Sequence, residues 1–180
     1  MIRLELIKKE DLYKIVEWNR NKSADDLLQW AGTLYEYPLT LSQIEKYFSE
    51  EESKDVADAY IYKIISKSTD EIVGTVELRV IDRDNKVARV CRFLIGEENS
   101  RGMGIGELAL NEVLRIGFKE KSFEKITLGV FDFNKGAVRC YEKAGFEIEK
   151  LLKDARKAKD GYWSLYEMSI LKSKWIRKSS

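Results

Sequence analysis

Between Arg101 and Gly106 the chain reads Arg-Gly-Met-Gly-Ile-Gly, with an apolar run at 87–95 before it and an amphipathic stretch after it. In that stretch Leu110, Val113, Leu114, Gly117 and Phe118 recur at helical spacing. A strand, a glycine loop and a helix in this order leave backbone N–H groups free at a helix N-terminus. There the helix dipole supplies partial positive charge and glycine lets a ligand come close. The chemistry this suits is the seating of a pyrophosphate. Near a helix start each glycine costs roughly 1 kcal/mol relative to alanine, and a tight turn needs only one.

Two phosphate-binding patterns fit these residues. Gly104-Ile105-Gly106-Glu107-Leu108-Ala109 satisfies the dinucleotide fingerprint G-x-G-x-x-A, with Asp132 placed as a ribose-binding acid. Such a fold needs several further βαβ units, and only about seventy residues follow Gly106, enough for one helix and a hairpin. The other pattern adds Arg101, giving Arg-x-x-Gly-x-Gly, and a second segment about thirty residues on that runs from Asn134 through Tyr141-Glu142-Lys143-Ala144-Gly145-Phe146.

Taken together, the two segments resemble the GNAT superfamily of acetyl-CoA-dependent N-acetyltransferases. The strand Ile2-Arg3-Leu4, the acidic helix start Glu10-Asp11 and the strand Ile72-Val73-Gly74-Thr75-Val76 sit where that family places its first strand, first helix and third strand, while 20–55 match least specifically. The resemblance implies that the amides of Gly102, Met103, Gly104, Ile105 and Gly106, with the Arg101 charge, grip the CoA pyrophosphate. It also implies that the backbone at Phe93, Leu94 and Ile95 hydrogen-bonds the pantetheine as if it were an added strand, and that Asn134 contacts the CoA arm. Asn134 is in addition a natural helix N-cap.

Acetyl transfer from a thioester to an amine needs a neutral amine, a place for the developing oxyanion and a proton for the departing thiolate. By resemblance Tyr141 supplies that proton. Many relatives carry a glutamate on the strand before the glycine loop, whereas this chain shows Arg89, Cys91 and Arg92 there. Glu77, within Thr75-Val76-Glu77-Leu78-Arg79, is the substitute expected to orient the amine or take its proton through water; the alternative is an exposed strand residue paired with Arg79 or Arg92. Cys91 and Cys140 lack a histidine to form a thiolate and read as small core residues.

Composition narrows the classes further. One hundred and eighty residues is about one domain, expected to span 1–180. With two cysteines, no CxxC and no histidine, neither a disulfide framework, a zinc site nor a His-based triad fits, so no metal is expected. Neither a signal-like N-terminus nor an apolar run near eighteen residues occurs, so a cytoplasmic location and no membrane partner are expected. Net charge is +1, yet from Lys150 to Ser180 nine basic residues face three acidic ones, and Glu50, Glu51, Glu52, Asp55 and Asp58 cluster earlier. The basic tail reads as a frayed, solvated terminus rather than a nucleic-acid contact.

The elements expected to position these residues are a strand 2–8, a helix 11–21, an aromatic connection from Trp30 to Pro38 and a helix opening at Thr40 or Ser42. Strands follow at 57–66, 72–81 and 86–95, then the glycine-loop helix to about Lys121, a strand 125–131 and a helix 135–143. The chain closes with strands at 146–153 and 163–171 around the turn Ala158-Lys159-Asp160-Gly161. This order reads as α+β with a mixed, mostly antiparallel sheet and helices on both faces. Trp30, Tyr35, Tyr37, Tyr162 and Trp163 are candidate walls of an acceptor cleft. The expected acceptor is a primary amine of a small molecule or a peptide N-terminus, and the chain is compatible with a homodimer. A CoA-binding sensor without turnover is the alternative, kept open by the missing strand glutamate.

Overall fold

In a computed structural model, residues 1–179 are described. The chain forms one seven-stranded sheet in the order β1-β2-β3-β4-β5-β7-β6. The strands are β1 (Ile2–Leu6), β2 (Ala59–Ser66), β3 (Ile72–Asp82), β4 (Val87–Ile95), β5 (Lys125–Phe131), β6 (Glu147–Ala158) and β7 (Gly161–Leu171). Every neighbouring pair is antiparallel except β4 and β5, which run parallel over Val87↔Lys125 to Val90↔Leu128. A single parallel pair cannot host a dinucleotide fold, which requires a run of parallel strands.

Both faces of the sheet are covered. On one lie α4 (Ile105–Arg115) and α5 (Lys135–Ala144). The apolar stripe read from the sequence is their contact surface: Leu110, Val113 and Leu114 are fully buried, and Phe118 nearly so. Each such side chain contributes roughly 1.5–3 kcal/mol of burial. The other face carries α1 (Tyr13–Asn19), α2 (Ala24–Ala31) and α3 (Leu41–Glu52), with a second core of Ile7, Leu12, Ile15, Ile44 and Phe48.

Two helices depart from the sequence reading. Helix α2 occupies a stretch to which the sequence reading assigns no element, apart from Trp30 and Ala31 at the start of the expected connection; it starts at a reciprocal cap in which the Ser23 hydroxyl accepts from the Asp26 amide at 3.1 Å and the Ser23 amide donates to the Asp26 carboxylate at 2.8 Å. Likewise the basic C-terminal stretch forms α6 (Lys172–Ser179) instead of fraying, because Trp175 packs on Phe118 with ring centroids 5.4 Å apart. Ser180 lies outside the described residues. The helix expected to run to Lys121 ends at Arg115 and continues as one π-helical turn, Ile116–Glu120. Among the described residues no helix is long and apolar enough to cross a membrane.

Candidate active site

The glycine loop enters α4 through two left-handed residues, Gly102 at φ 73° and Gly104 at φ 74°, the latter being the helix N-cap. Only glycine adopts this conformation without strain. Among the described residues, no backbone carbonyl accepts from the amides of Gly102, Met103, Gly104, Ile105 or Gly106. A Cβ built on any of the three glycines meets nothing within 4 Å, so the loop has open space on its side-chain side. Five free donors, a dipole end and open volume fit a pyrophosphate. The Arg101 side chain folds back so that its Nε donates to the Ile95 carbonyl at 3.1 Å, tying the loop to the end of β4.

A second opening lies within the sheet. Pairing of β4 with β5 stops at Val90 and Leu128, and beyond it the β5-facing edge of 91–95 has no strand partner among the described residues. The cause is a bulge: Thr75 to Glu77 on β3 spans the same register as Cys91 to Leu94 on β4, with Arg92 in the left-handed region at φ 47°. Bulges bend a strand and re-aim its side chains. Here the bend separates β4 from β5 and turns Arg92 toward Glu77.

Two cavities fill the gap. One, about 590 Å³, is bordered by Phe93, Leu94, Ile95, Arg101 and Asn134, the residues expected on the CoA side. Its neighbour, about 550 Å³, lies under α2 and is bordered by Gly32, Cys91, Arg92 and Arg156 among others. The two share Gln29, Trp30, Phe93, Gly129, Phe131 and Tyr141 as walls. Tyr141 therefore stands where the cavities meet. Its ring packs against Phe146, with centroids 6.1 Å apart, and burial, with a smaller push from Cys140, raises its hydroxyl well above the ordinary tyrosine range. A hydroxyl so shifted stays protonated at neutral pH, as a donor must. Asn134 caps α5, its side chain accepting from the Ala137 amide at 3.2 Å.

Glu77 is placed differently from the sequence expectation. It is 1 % exposed and borders neither large cavity. Arg92 donates to it through Nε at 2.8 Å and Nη2 at 2.5 Å, Arg79 through Nε at 2.9 Å, and the Tyr47 hydroxyl lies 2.9 and 3.0 Å from its two oxygens. This burial corrects the exposure expected in the alternative reading, while the pairing with Arg79 and Arg92 that it named is present. A free base is not what the geometry offers either, because both oxygens already accept hydrogen bonds from Arg79 and Arg92. Both cysteines are free and half-buried, and burial pushes both thiols up, consistent with unreactive packing residues.

Among the aromatic candidates, Trp30 borders both cavities and is fixed by donation from Nε1 to the Asn19 side chain at 2.9 Å. Tyr35 lies instead in the second core beside Tyr47, Trp163 packs on Phe131 and Phe133, and Tyr37 and Tyr162 are exposed. The sequence reading did not single out Gln29 or Arg156, which both border the cavity under α2. The Ser23-Ala24-Asp25-Asp26 capping pattern was the available signal for the helix that carries Gln29.

Comparison with known proteins agrees with this geometry. Residues 14–146 match the acetyltransferase (GNAT) family. The chain belongs to the GNAT family. Among curated proteins it is 30% identical over 114 residues to an uncharacterized N-acetyltransferase, p20, of Bacillus licheniformis, spanning 63% of this chain and 63% of that protein's length. It is also 25% identical to the spermidine N(1)-acetyltransferase of Vibrio cholerae over 99% of this chain and 97% of that one. The structure of the Vibrio cholerae spermidine N-acetyltransferase in complex with CoA and spermine superposes with a TM-score of 0.84 at 22% identity, covering 97% of this chain and 98% of that one. At that identity the superposition establishes the GNAT fold, with its mixed sheet and helices on both faces.

Proposed function

We propose that this GNAT protein transfers an acetyl group from acetyl-CoA to a primary amine, with Tyr141 as the general acid. One observation carries the reading: a cavity beside free loop amides and an unpaired strand edge meets a second cavity at a single protonated hydroxyl. Acetyl-CoA, when bound, supplies the acyl group as an activated thioester.

The protein's own groups have separable tasks in this scheme. The amides at 102–106 and the Arg101 guanidinium hold the pyrophosphate, the free edge of Phe93, Leu94 and Ile95 receives the pantetheine amides as an added strand would, and Asn134 flanks the arm. Tyr141 Oη gives its proton to the leaving sulfur, a contribution typically worth a hundred- to ten-thousand-fold. Glu77 acts as a positioning residue: it holds Arg92 in the bulge that opens the cleft. The amine's proton then leaves through the open acceptor cavity to water, from which Tyr141 regains the proton it gave.

A second reading, a sensor that binds acetyl-CoA without turnover, is favoured by the engagement of both Glu77 oxygens. Incubation with acetyl-CoA and a pool of spermidine, amino acids, aminoglycosides and peptides with free N-termini, followed by mass spectrometry, separates the two. Acetylated products are expected; binding of acetyl-CoA with no product from any amine would favour the sensor.

A further inference from the structure

The charges around the acceptor-side cavity are of one sign. Arg89, Arg92 and Arg156 border it, and among the described residues neither aspartate nor glutamate does. Two of the three are neutralised from behind. Arg89 makes a bidentate pair with Glu167 at 2.7 and 2.9 Å, its guanidinium passing over Gly129, where a Cβ would lie 2.6 Å from its Nη2. Arg92 is paired with Glu77.

Arg156 is not neutralised. Among the described residues its one hydrogen bond runs from Nη1 to the carbonyl of the adjacent Ala155 at 2.8 Å, and no carboxylate pairs with it. The residue is exposed to solvent, and the strand backbone fixes where it stands. On β6 the register slips between Leu152 and Arg156, which oppose Leu165 and Trp163, and Asp154 sits in the left-handed region at φ 50° with its amide donating to Ser164 Oγ at 3.1 Å. Two bulges on strands far apart in the sequence thus present arginines to one cavity.

Building on the acetyl-transfer reading of this cleft, we propose that the acceptor carries a carboxylate near its amine, as in a free amino acid or a peptide beginning with an acidic residue, and that Arg156 binds that carboxylate. A guanidinium accepts a carboxylate in a fork of two charge-assisted hydrogen bonds. The apolar stem between the two groups has Trp30, Phe93 and Phe131 to lie against. A polycation finds no counter-charge in this cavity.

The test measures kcat/KM by thiol release on the full chain with acetyl-CoA and matched acceptors: γ-aminobutyrate against n-butylamine, peptides beginning Asp or Glu against peptides beginning Lys, and spermidine. Carboxylated acceptors are expected to lead their matched partners and spermidine by roughly tenfold or more, the scale of a hydrogen bond to a charged group. Arg156→Gln should collapse that lead to within about twofold through KM, while the KM for acetyl-CoA stays put, and Arg156→Lys should restore part of it. A lead shown by free amino acids assigns the carboxylate to the small molecule itself; one confined to acidic peptides assigns it to a peptide side chain. Spermidine leading the panel, or a lead that survives Arg156→Gln, overturns the proposal. If no acceptor turns over, equilibrium binding of γ-aminobutyrate and spermidine to the CoA-bound protein decides the anion site separately. Binding of γ-aminobutyrate that weakens in Arg156→Gln supports it, and spermidine binding in its place refutes it.

Discussion

The two ends of the cleft are made of different materials. In the proposed scheme the CoA end is backbone: loop amides, a helix dipole and a strand edge, contributed by the single stretch 91–106 and flanked by Asn134. The acceptor end is side chain, with Gln29 and Trp30 from α2, Arg89 and Arg92 from β4, and Arg156 from β6. Backbone donors recognise what every acetyl-CoA shares, and they tolerate side-chain change around them. Side chains gathered from distant segments can be exchanged one at a time, so one frame can present carboxylates to one acceptor and arginines to another. The contrast separates cofactor recognition from acceptor choice, and each variant below should disturb one end and spare the other.

The largest effect is expected at Glu77. Removing one partner of a buried ion pair costs about 3–5 kcal/mol, and Glu77→Gln leaves Arg79 and Arg92 facing each other across Tyr47 with one anion lost. Denaturant unfolding should show that loss, turnover should fall because Arg92 is released, and acetyl-CoA affinity should hold. Wild-type stability in this variant would mean that the network does not hold the acceptor end together.

Gly104→Val addresses the opposite end. A branched residue at φ 74° is strained and projects into the open space on the side-chain side of the loop. Wild-type protein should gain about 2.7 kcal/mol from acetyl-CoA at a hundred times its dissociation constant, and nothing from NAD. In the variant the acetyl-CoA gain should disappear from the melting curve. Stabilisation by NAD with none from acetyl-CoA would return the loop to the dinucleotide pattern.

The smallest effect concerns Glu51, behind the Glu77 network. Burial alone would raise its carboxyl, but hydrogen bonds from Arg79 and Lys54 outweigh it and hold it below the ordinary 4.5. A depressed carboxylate contributes stability that is present above the unfolded value and lost as pH falls through the folded one. The melting temperature should therefore drop below about pH 4.5, and Glu51→Gln should flatten that drop by roughly 1 kcal/mol or less. An unchanged slope would show that the Arg79 contact is solvated.

The same division governs what could be read from the sequence. Gly102, Gly104 and Asn134 announce themselves because a left-handed turn or a cap is specified by one residue and its neighbours, and β5 at 125–131 follows from its own short apolar run. Tyr141 was legible through the segment around it. Arg156 was not, because a bulge decides which face a strand residue presents and no local pattern marks that bulge. Glu77 reads as exposed or free from its strand alone; its burial depends on Tyr47, Arg79 and Arg92, brought together by α3 and two strands. Helix α6 was hidden by its lysines, since a single tryptophan supplies its anchoring contact to Phe118.

The central claim is that the two ends meet at the Tyr141 hydroxyl, and deleting that oxygen tests it most directly. Tyr141→Phe keeps the ring and its packing on Phe146. At saturating acetyl-CoA and acceptor, its thiol release should be slower by roughly a hundred- to ten-thousand-fold, with melting temperature and acetyl-CoA affinity at wild-type values. Release at the wild-type rate would contradict the account, placing the proton donor elsewhere and leaving Tyr141 a wall of the cleft.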